Sequence, residues 1–457
     1  MVLLRYVNEE RLPVMQYLLR DLQKFFNIES IQRYTLMTLG NEDSVGLGLK
    51  IGASIANLAE QEKGCKSCIV YIPESLLKSN TFICDCTSSL FYTLYSDNRY
   101  RTGTRIKQPA INMIHLYFAS SNGGTYDKSD FEKNVQEGIH VARGQYLAMD
   151  IVNAPHNVLN SVSLANEAVH LAETSKNLVC KILSKDDCEA LSMGAYLAVA
   201  RGSETPPQFI HMTYRPQGEI KRKVGVVGKG LLFDTGGYNI KVSGMELMKF
   251  DCGGAAAVLG AAKAIDGLEV PGVEIHFIVA ACENMISAKA YVPSDVLVAS
   301  NGKTIEVVNT DAEGRLTLAD ALVYADKEVG CEKIIELSTL TGACMIALGK
   351  SVCGLWTNND ELATELDTAS KASNEKAWRM PMATEYNDQL ESKIADLTNC
   401  GTRFGGAITA ALFLQNFIEG NTPFSHIDIA GPVWHDKKGA TGFGVKLITE
   451  WCKKQGE

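Results

Sequence analysis

Alternating apolar runs and helical periodicities, separated by glycine-rich turns, predict an α/β fold in two domains. One is a smaller N-terminal α/β domain. The other is a larger C-terminal α/β domain whose mainly parallel, mixed sheet is covered by helices. Three features of the chain carry this. Ser120-Ser121-Asn122-Gly123-Gly124-Thr125 is a turn-rich break. Phe131 to Val152 then reads as one long helix, closed by Asn153-Ala154-Pro155. Every motif that carries chemistry lies beyond that helix, where strand patterns alternate with helical ones.

Residues 1–128 form the first domain. Leu12 to Phe26 and Ser75 to Ser79 are helical patterns, and Thr35 to Leu39, Ile69 to Ile72 and Ile111 to Phe118 are apolar strands. Cys65-x-x-Cys68 followed by Cys84-x-Cys86 imitates a zinc ribbon. Cys68 opens a strand pattern, however, and Cys84 and Cys86 fall at a helix start, so these thiols read as small buried hydrophobes. Gly46 to Gly52 has the look of a dinucleotide loop, but its last glycine comes one position late and no clear ribose-binding acid follows. Residues 129–154 are the linker helix and 155–457 the second domain. There Val296-Leu297-Val298 and Ile305-Glu306-Val307-Val308 flank Asn301-Gly302, a strong hairpin signal. Leu318, Ala321, Leu322 and Ala325 then mark an apolar helix face.

The composition, 46% hydrophobic and 21% charged over 457 residues, is that of a globular chain and excludes a fibre or a disordered polymer. No apolar run approaches the roughly 18 to 20 residues of a membrane span. The first ten residues lack a signal-peptide core. Thirteen scattered cysteines argue against a disulfide framework and for a reducing, cytoplasmic setting. A plastid is the alternative if a transit segment has been removed. A net charge of −9 without a basic cluster speaks against a nucleic-acid footprint.

Two charged, glycine-rich segments carry the chemistry. Gly228-Lys229-Gly230-Leu231-Leu232-Phe233-Asp234-Thr235-Gly236-Gly237-Tyr238-Asn239-Ile240-Lys241 follows the strand pattern Val224 to Val227, and Asp251 opens a helix of small residues. Asn309-Thr310-Asp311-Ala312-Glu313-Gly314-Arg315 follows the hairpin. If that stretch is extended, side chains at alternate positions share a side, so Asp311, Glu313 and Arg315 point into one pocket. Such groups either face solvent at a helix start or surround metal and substrate, because unpartnered buried charge costs several kcal/mol. No histidine lies in these motifs. The donors are carboxylates and an amine, which suits Zn²⁺, Mn²⁺, Mg²⁺ or Co²⁺.

These segments resemble those of the leucyl aminopeptidase family of two-metal exopeptidases, most closely its plant and apicomplexan-parasite members. The resemblance continues through Cys282-Glu283-Asn284-Met285, Asn301 to Thr304, Thr339-Leu340-Thr341-Gly342, Ile408 to Phe413 and Asp428-Ile429-Ala430-Gly431, in order over residues 150 to 455. Val242, Cys252 and Ser294 depart from the family's usual proline, methionine and glycine, and the loop from Lys241 to Asp251 is one residue shorter than in many relatives.

The resemblance implies a catalytic second domain that hydrolyses the N-terminal residue, leucine or another apolar one, from peptides. Lys229, Asp234, Asp251 and Glu313 would hold one metal, and Asp234, Asp311 and Glu313 the other. Lys229 then binds as the neutral amine; the alternative is an ammonium paired with Asp234. Lys241, placed outside the carboxylate cluster, would stabilise the oxyanion, and Arg315 would hold bicarbonate. Met248, Thr339, Leu340, Gly342 and Ala430 would line the first-residue pocket or bind the substrate backbone, with core packing the other reading of Met248 and Ala430. A homohexamer, a dimer of trimers, is the expected assembly. Two other classes compete. A magnesium-dependent phosphoryl transferase would cradle phosphate at Gly228-Lys229-Gly230, but no G-x-x-x-x-G-K-[ST] motif occurs. A non-catalytic, nucleic-acid-binding use of the same fold is opposed by the charge.

Overall fold

The computed structural model describes residues 2–6, 33–37, 46–61, 67–73, 81–107, 113–119 and 128–457. The helices expected over Leu12 to Phe26 and Ser75 to Ser79, the break at Ser120 to Thr125, and Cys65 lie outside them. The chain divides into two compact units, Met1–Ala142 and Arg143–Glu457. The division falls inside the long helix, which runs Lys128–Asn153.

The first unit holds a parallel sheet of β1 (Val2–Tyr6), β2 (Arg33–Met37), β3 (Ser67–Pro73) and β4 (Met113–Ala119), in the order β2-β1-β3-β4. Three of these match strands expected from the sequence. β1 was not expected, because five residues with an arginine among them give no periodicity to read. Gly46 to Gly52 forms a turn running into the helix Leu47–Gln61, and Cys84 and Cys86 sit in the helix Phe82–Leu94.

The second unit is built on strands β5 (Leu178–Leu183), β6 (Gln208–Tyr214), β7 (Arg222–Asp234) and β8 (Val273–Asn284). Next come β9 (Val296–Val298), β10 (Thr304–Glu306), β11 (Lys333–Ser338) and β12 (Cys353–Thr357). β13 (Ala377–Arg379), β14 (Leu397–Thr398) and β15 (Phe424–Asp428) follow. Eight of them form one sheet in the order β13-β12-β15-β11-β7-β8-β6-β5. Its centre, β15-β11-β7-β8, is parallel. β12 and β6 run antiparallel to that centre, so the sheet is mainly parallel and mixed, as expected. β8, β11, β12 and β15 are buried at every position, the signature of a sheet covered on both faces.

The expected hairpin is present as β9 and β10, and β10 also pairs with β14 in a separate three-stranded sheet. The helix after it, Gly314–Val323, is buried on all sides rather than along one apolar face. Among the described residues no helix is long and apolar enough to cross a membrane.

Candidate active site

Parallel strands bring their carboxyl ends to one edge of the sheet, and loops leaving that edge gather there. β7 supplies Lys229 along its length and Asp234 at its end, past an irregularity between Leu231 and Asp234. A short 3₁₀ helix, Met245–Phe250, leads to Asp251, which one residue, Cys252, separates from the helix Gly253–Leu268. Asp311 lies in a turn: Ala312 N–H donates to the Asn309 carbonyl at 3.2 Å, and Asp311 N–H to Asn309 Oδ1 at 2.9 Å. Glu313 has helical backbone angles, φ −79° and ψ −38°. The segment is therefore not extended, and strand alternation is not what makes its side chains converge. A turn followed at once by a helix does it, because local hydrogen bonds to Asn309 outcompete a ladder with no partner strand.

Asp234, Asp251 and Glu313 come together, all buried, with oxygens within 4.8 Å of one another. Lys229 lies between two of them, its Nζ 2.9 Å from Asp251 Oδ1 and 2.9 Å from Glu313 Oε1. A Cβ at position 314 would meet Lys229 Cε at 2.4 Å, so only glycine leaves room for this lysine. Lys241 Nζ lies 2.7 Å from Asp234 Oδ2 and 2.6 Å from Asp311 Oδ1. This corrects its expected position: Lys241 is inside the carboxylate cluster. The chain folds back through Gly236, at φ +86°, where an added Cβ would come within 2.8 Å of Asp311 Oδ1.

Burial alone would lower the pKa of Lys229, but Asp251, Glu313 and Asp234 outweigh it and hold the ammonium well above the usual lysine range. Lys241 is likewise held up against burial, by Asp234 and Glu313 first. On the acid side, burial raises Asp251 and Asp311, and burial with the nearby Asp234 charge pushes Glu313 up to about 8. Four carboxyl groups thus share two ammonium groups. Asp251 Oδ2 and Glu313 Oε2 are buried with no hydrogen-bond partner. Arg315 is 7% exposed, lies over the Phe413 ring at 6.0 Å, and keeps Nε and Nη1 buried without an acceptor. Burial lowers its pKa, with Glu313 and Asp428 among the charges opposing the shift.

The residues expected in the pocket are placed unevenly. Thr339 Oγ1 donates to Asp251 Oδ1 at 2.7 Å, so its hydroxyl serves the carboxylate rather than a pocket wall. Leu340 follows it, half-buried, and Gly342 opens the helix Gly342–Leu348 with open space where a side chain would be. Ala430 is buried, and Met248 is half-buried in the 3₁₀ helix.

Sequence reasoning missed the residues that hold the acids in place. Asn284 Nδ2 donates to Asp234 Oδ1 at 2.7 Å, and Gly236 N–H to the same oxygen at 2.9 Å. Tyr291 Oη donates to the Thr310 carbonyl at 2.7 Å, and Asn399 Nδ2 to the Asn309 carbonyl at 2.7 Å. Asn284 stands inside a recognised motif, so a signal existed for it. Asn399 gave none, because it reaches Asn309 from ninety residues away.

Buried carboxylates with unpartnered oxygens, set among amines at the carboxyl edge of a parallel-centred sheet, define an α/β enzyme built to hold cations. The catalytic-domain model of the cytosol aminopeptidase family matches residues 146–449, and the chain belongs to that family. It is a metal-dependent aminopeptidase. Leucine aminopeptidase 2, chloroplastic, of Arabidopsis thaliana is 46% identical over 432 residues, covering 92% of this chain and 73% of that protein. A probable cytosol aminopeptidase of Synechococcus sp. (strain CC9605) is 44% identical over 435 residues, covering 93% and 86%. The structure of a tomato leucine aminopeptidase mutant superposes with a TM-score of 0.86 at 39% identity, covering 99% of this chain and 93% of that one.

Proposed function

We propose that the protein releases the N-terminal residue, leucine or another apolar one, from peptides with a free amino end, and that it uses two divalent ions to do so. The observation that carries this reading is the pair of buried, unpartnered oxygens, Asp251 Oδ2 and Glu313 Oε2, in a cluster richer in carboxylates than in ammonium groups. Lys229, Asp234, Asp251 and Glu313 would hold one ion, and Asp234, Asp311 and Glu313 the other. Zn²⁺ or Mn²⁺ is the first choice, with Mg²⁺ and Co²⁺ as the further ions to test. Held by these residues, divalent ions would supply Lewis-acid polarisation of a carbonyl and a water acidified to near neutral pH.

The chain's own groups do the rest. To serve as a ligand Lys229 must give up its proton, which burial favours and Asp251 and Glu313 oppose until cations take up their charge. Lys241 keeps its proton; with Asp234 and Asp311 committed as ligands, its ammonium is free to donate to the oxyanion. Arg315, its Nε and Nη1 unpartnered, suits a planar anion such as bicarbonate, held by the guanidinium fork to move a proton. Leu340, Gly342, Ala430 and Met248 would receive the first residue, and Thr339 would contribute backbone. We assign catalysis to residues 155–457, an N-terminal domain to 1–128 and a linking helix to 129–154. We infer a cytoplasmic homohexamer, a dimer of trimers; for its chloroplastic relatives the setting is a plastid.

The deciding experiment strips metal from the protein, restores one ion at a time, and follows release of the first residue from a peptide panel. Free-amine peptides should be cut only after metal is restored. Equal cutting of N-acetylated peptides would overturn the reading, and light scattering of an active monomer would remove the hexamer.

A further inference from the structure

We propose that Asp428 is a positioning residue that sets the two loops meant to receive the substrate; this rests on the assignment of Leu340, Gly342 and Ala430 to substrate binding. β15 ends at Asp428, which is paired in register with Ser338, the last residue of β11. The loops leaving these two parallel neighbours are the ones that carry Leu340 to Gly342 and Ala430. One carboxylate joins them. Asp428 Oδ1 accepts from Ala430 N–H at 3.0 Å and from Leu340 N–H at 3.3 Å, and Oδ2 accepts from the Thr341 hydroxyl at 2.6 Å. Thr341 Oγ1 in turn accepts from Cys344 N–H at 3.0 Å, capping the helix that starts at Gly342.

Asp428 is fully buried; Arg315 and His426 lie near enough for charge to be felt between them and it, but among the described residues no cation forms an ion pair with it. A lone buried charge disfavours folding unless hydrogen bonds meet it, so a carboxylate is a poor choice for packing alone. It is a good choice for three donors arriving from two loops, because both of its oxygens accept, whereas an amide presents a single acceptor oxygen. The loops keep their spacing as long as both oxygens are engaged. Asp428 touches neither the proposed metal ligands nor the reacting atoms; it acts through Leu340, Thr341 and Ala430.

The test uses metal-loaded enzyme and leucyl peptides with a free amino end. Asp428→Asn keeps the size but turns an acceptor toward Thr341 into a donor. It should raise KM about tenfold, the scale of a lost hydrogen bond to a buried charge, with kcat within about threefold and metal content equal to the parent. Thr341→Val, which also removes the cap on Cys344 N–H, should raise KM at least as far, and adding Asp428→Asn to it should change nothing further, because the bond between the two is already gone. An unchanged KM with a lowered Tm would reduce Asp428 to a structural residue and overturn the proposal, as would metal content falling in step with activity. If Asp428→Asn does not fold, Thr341→Val decides by the same KM criterion. Ala430→Leu separates the two layers of the argument. If it leaves KM unchanged, the substrate assignment fails and takes this proposal with it. If it raises KM while Asp428→Asn does not, only the positioning role fails.

Discussion

The same group of strands carries two polar clusters at opposite ends, one complete in itself and the other not. Near the start of β8, Glu274 and His276 meet His211 of β6. Glu274 Oε2 pairs with Arg215 Nε at 3.0 Å, and its Oε1 lies 2.9 Å from His276 Nε2. His276 Nδ1 lies 2.9 Å from His211 Nε2, and His211 Nδ1 lies 3.0 Å from Tyr324 Oη. An ionised Glu274 makes His276 Nε2 the donor, which leaves Nδ1 to accept from His211 Nε2–H, and His211 Nδ1 to accept from the tyrosine hydroxyl. Every bond in that chain has one donor and one acceptor, and it asks for no ligand. At the other end of β7 and β8, the Asp234, Asp251, Asp311 and Glu313 cluster has more acceptors than donors, and two oxygens are left over. The difference shows that burying polar groups is not itself a sign of function. What sets the second cluster apart is that the unmet oxygens belong to neighbouring acids gathered at one point.

The largest way to break this comparison is at Glu313. Glu313→Gln keeps the size and removes the charge, so metal content and turnover should fall together by more than about 100-fold, since residues behind metal ligands alone cost 10- to 100-fold. Full metal occupancy at normal turnover would put the imbalance down to packing. Lys241→Ala comes next, with kcat expected to drop about 10²- to 10³-fold while metal content holds. Because Lys241 bonds Asp234 and Asp311, loss of metal on its removal would assign it to the cluster's framework and not to the oxyanion. A smaller effect is expected at Asn284, whose Nδ2 orients Asp234. Asn284→Ala should weaken metal affinity about tenfold in a metal titration, and unchanged affinity would mean that Gly236 N–H suffices.

The smallest effect belongs to the complete chain. Burial first, then His276 and Lys181, depress His211 from 6.5 to about 4. Between those values the unfolded chain binds a proton that the folded protein refuses. The stability due to neutral His211 is therefore present above pH 6.5 and is lost as pH falls toward 4. His211→Gln should leave turnover alone. In urea unfolding it should be less stable than the parent at pH 7, with the gap narrowing down to pH 4. A constant gap would mean that His211 does not titrate in this window.

Much of the site was legible because its residues are local to short motifs. Lys229, Asp234 and Lys241 share one glycine-rich segment, and Asp311, Glu313 and Arg315 one stretch of seven residues. The mainly parallel sheet was legible from apolar runs alternating with helices, and the hairpin from Asn301-Gly302. Where the side chains point was not. The turn at Asp311 depends on Asn309 and, from far along the chain, on Asn399. Lys241 enters the cluster only because the loop reverses at Gly236. The role of Thr339 toward Asp251, and of Asp428 toward Leu340 and Thr341, joins residues nearly ninety positions apart. By itself the sequence determined which chemical groups are present, in what order, and the strand and helix periods that carry them, since these follow from neighbours along the chain. The tertiary structure alone decided which donors meet which acceptors, because those pairings form only where strands distant in sequence end side by side and water is excluded.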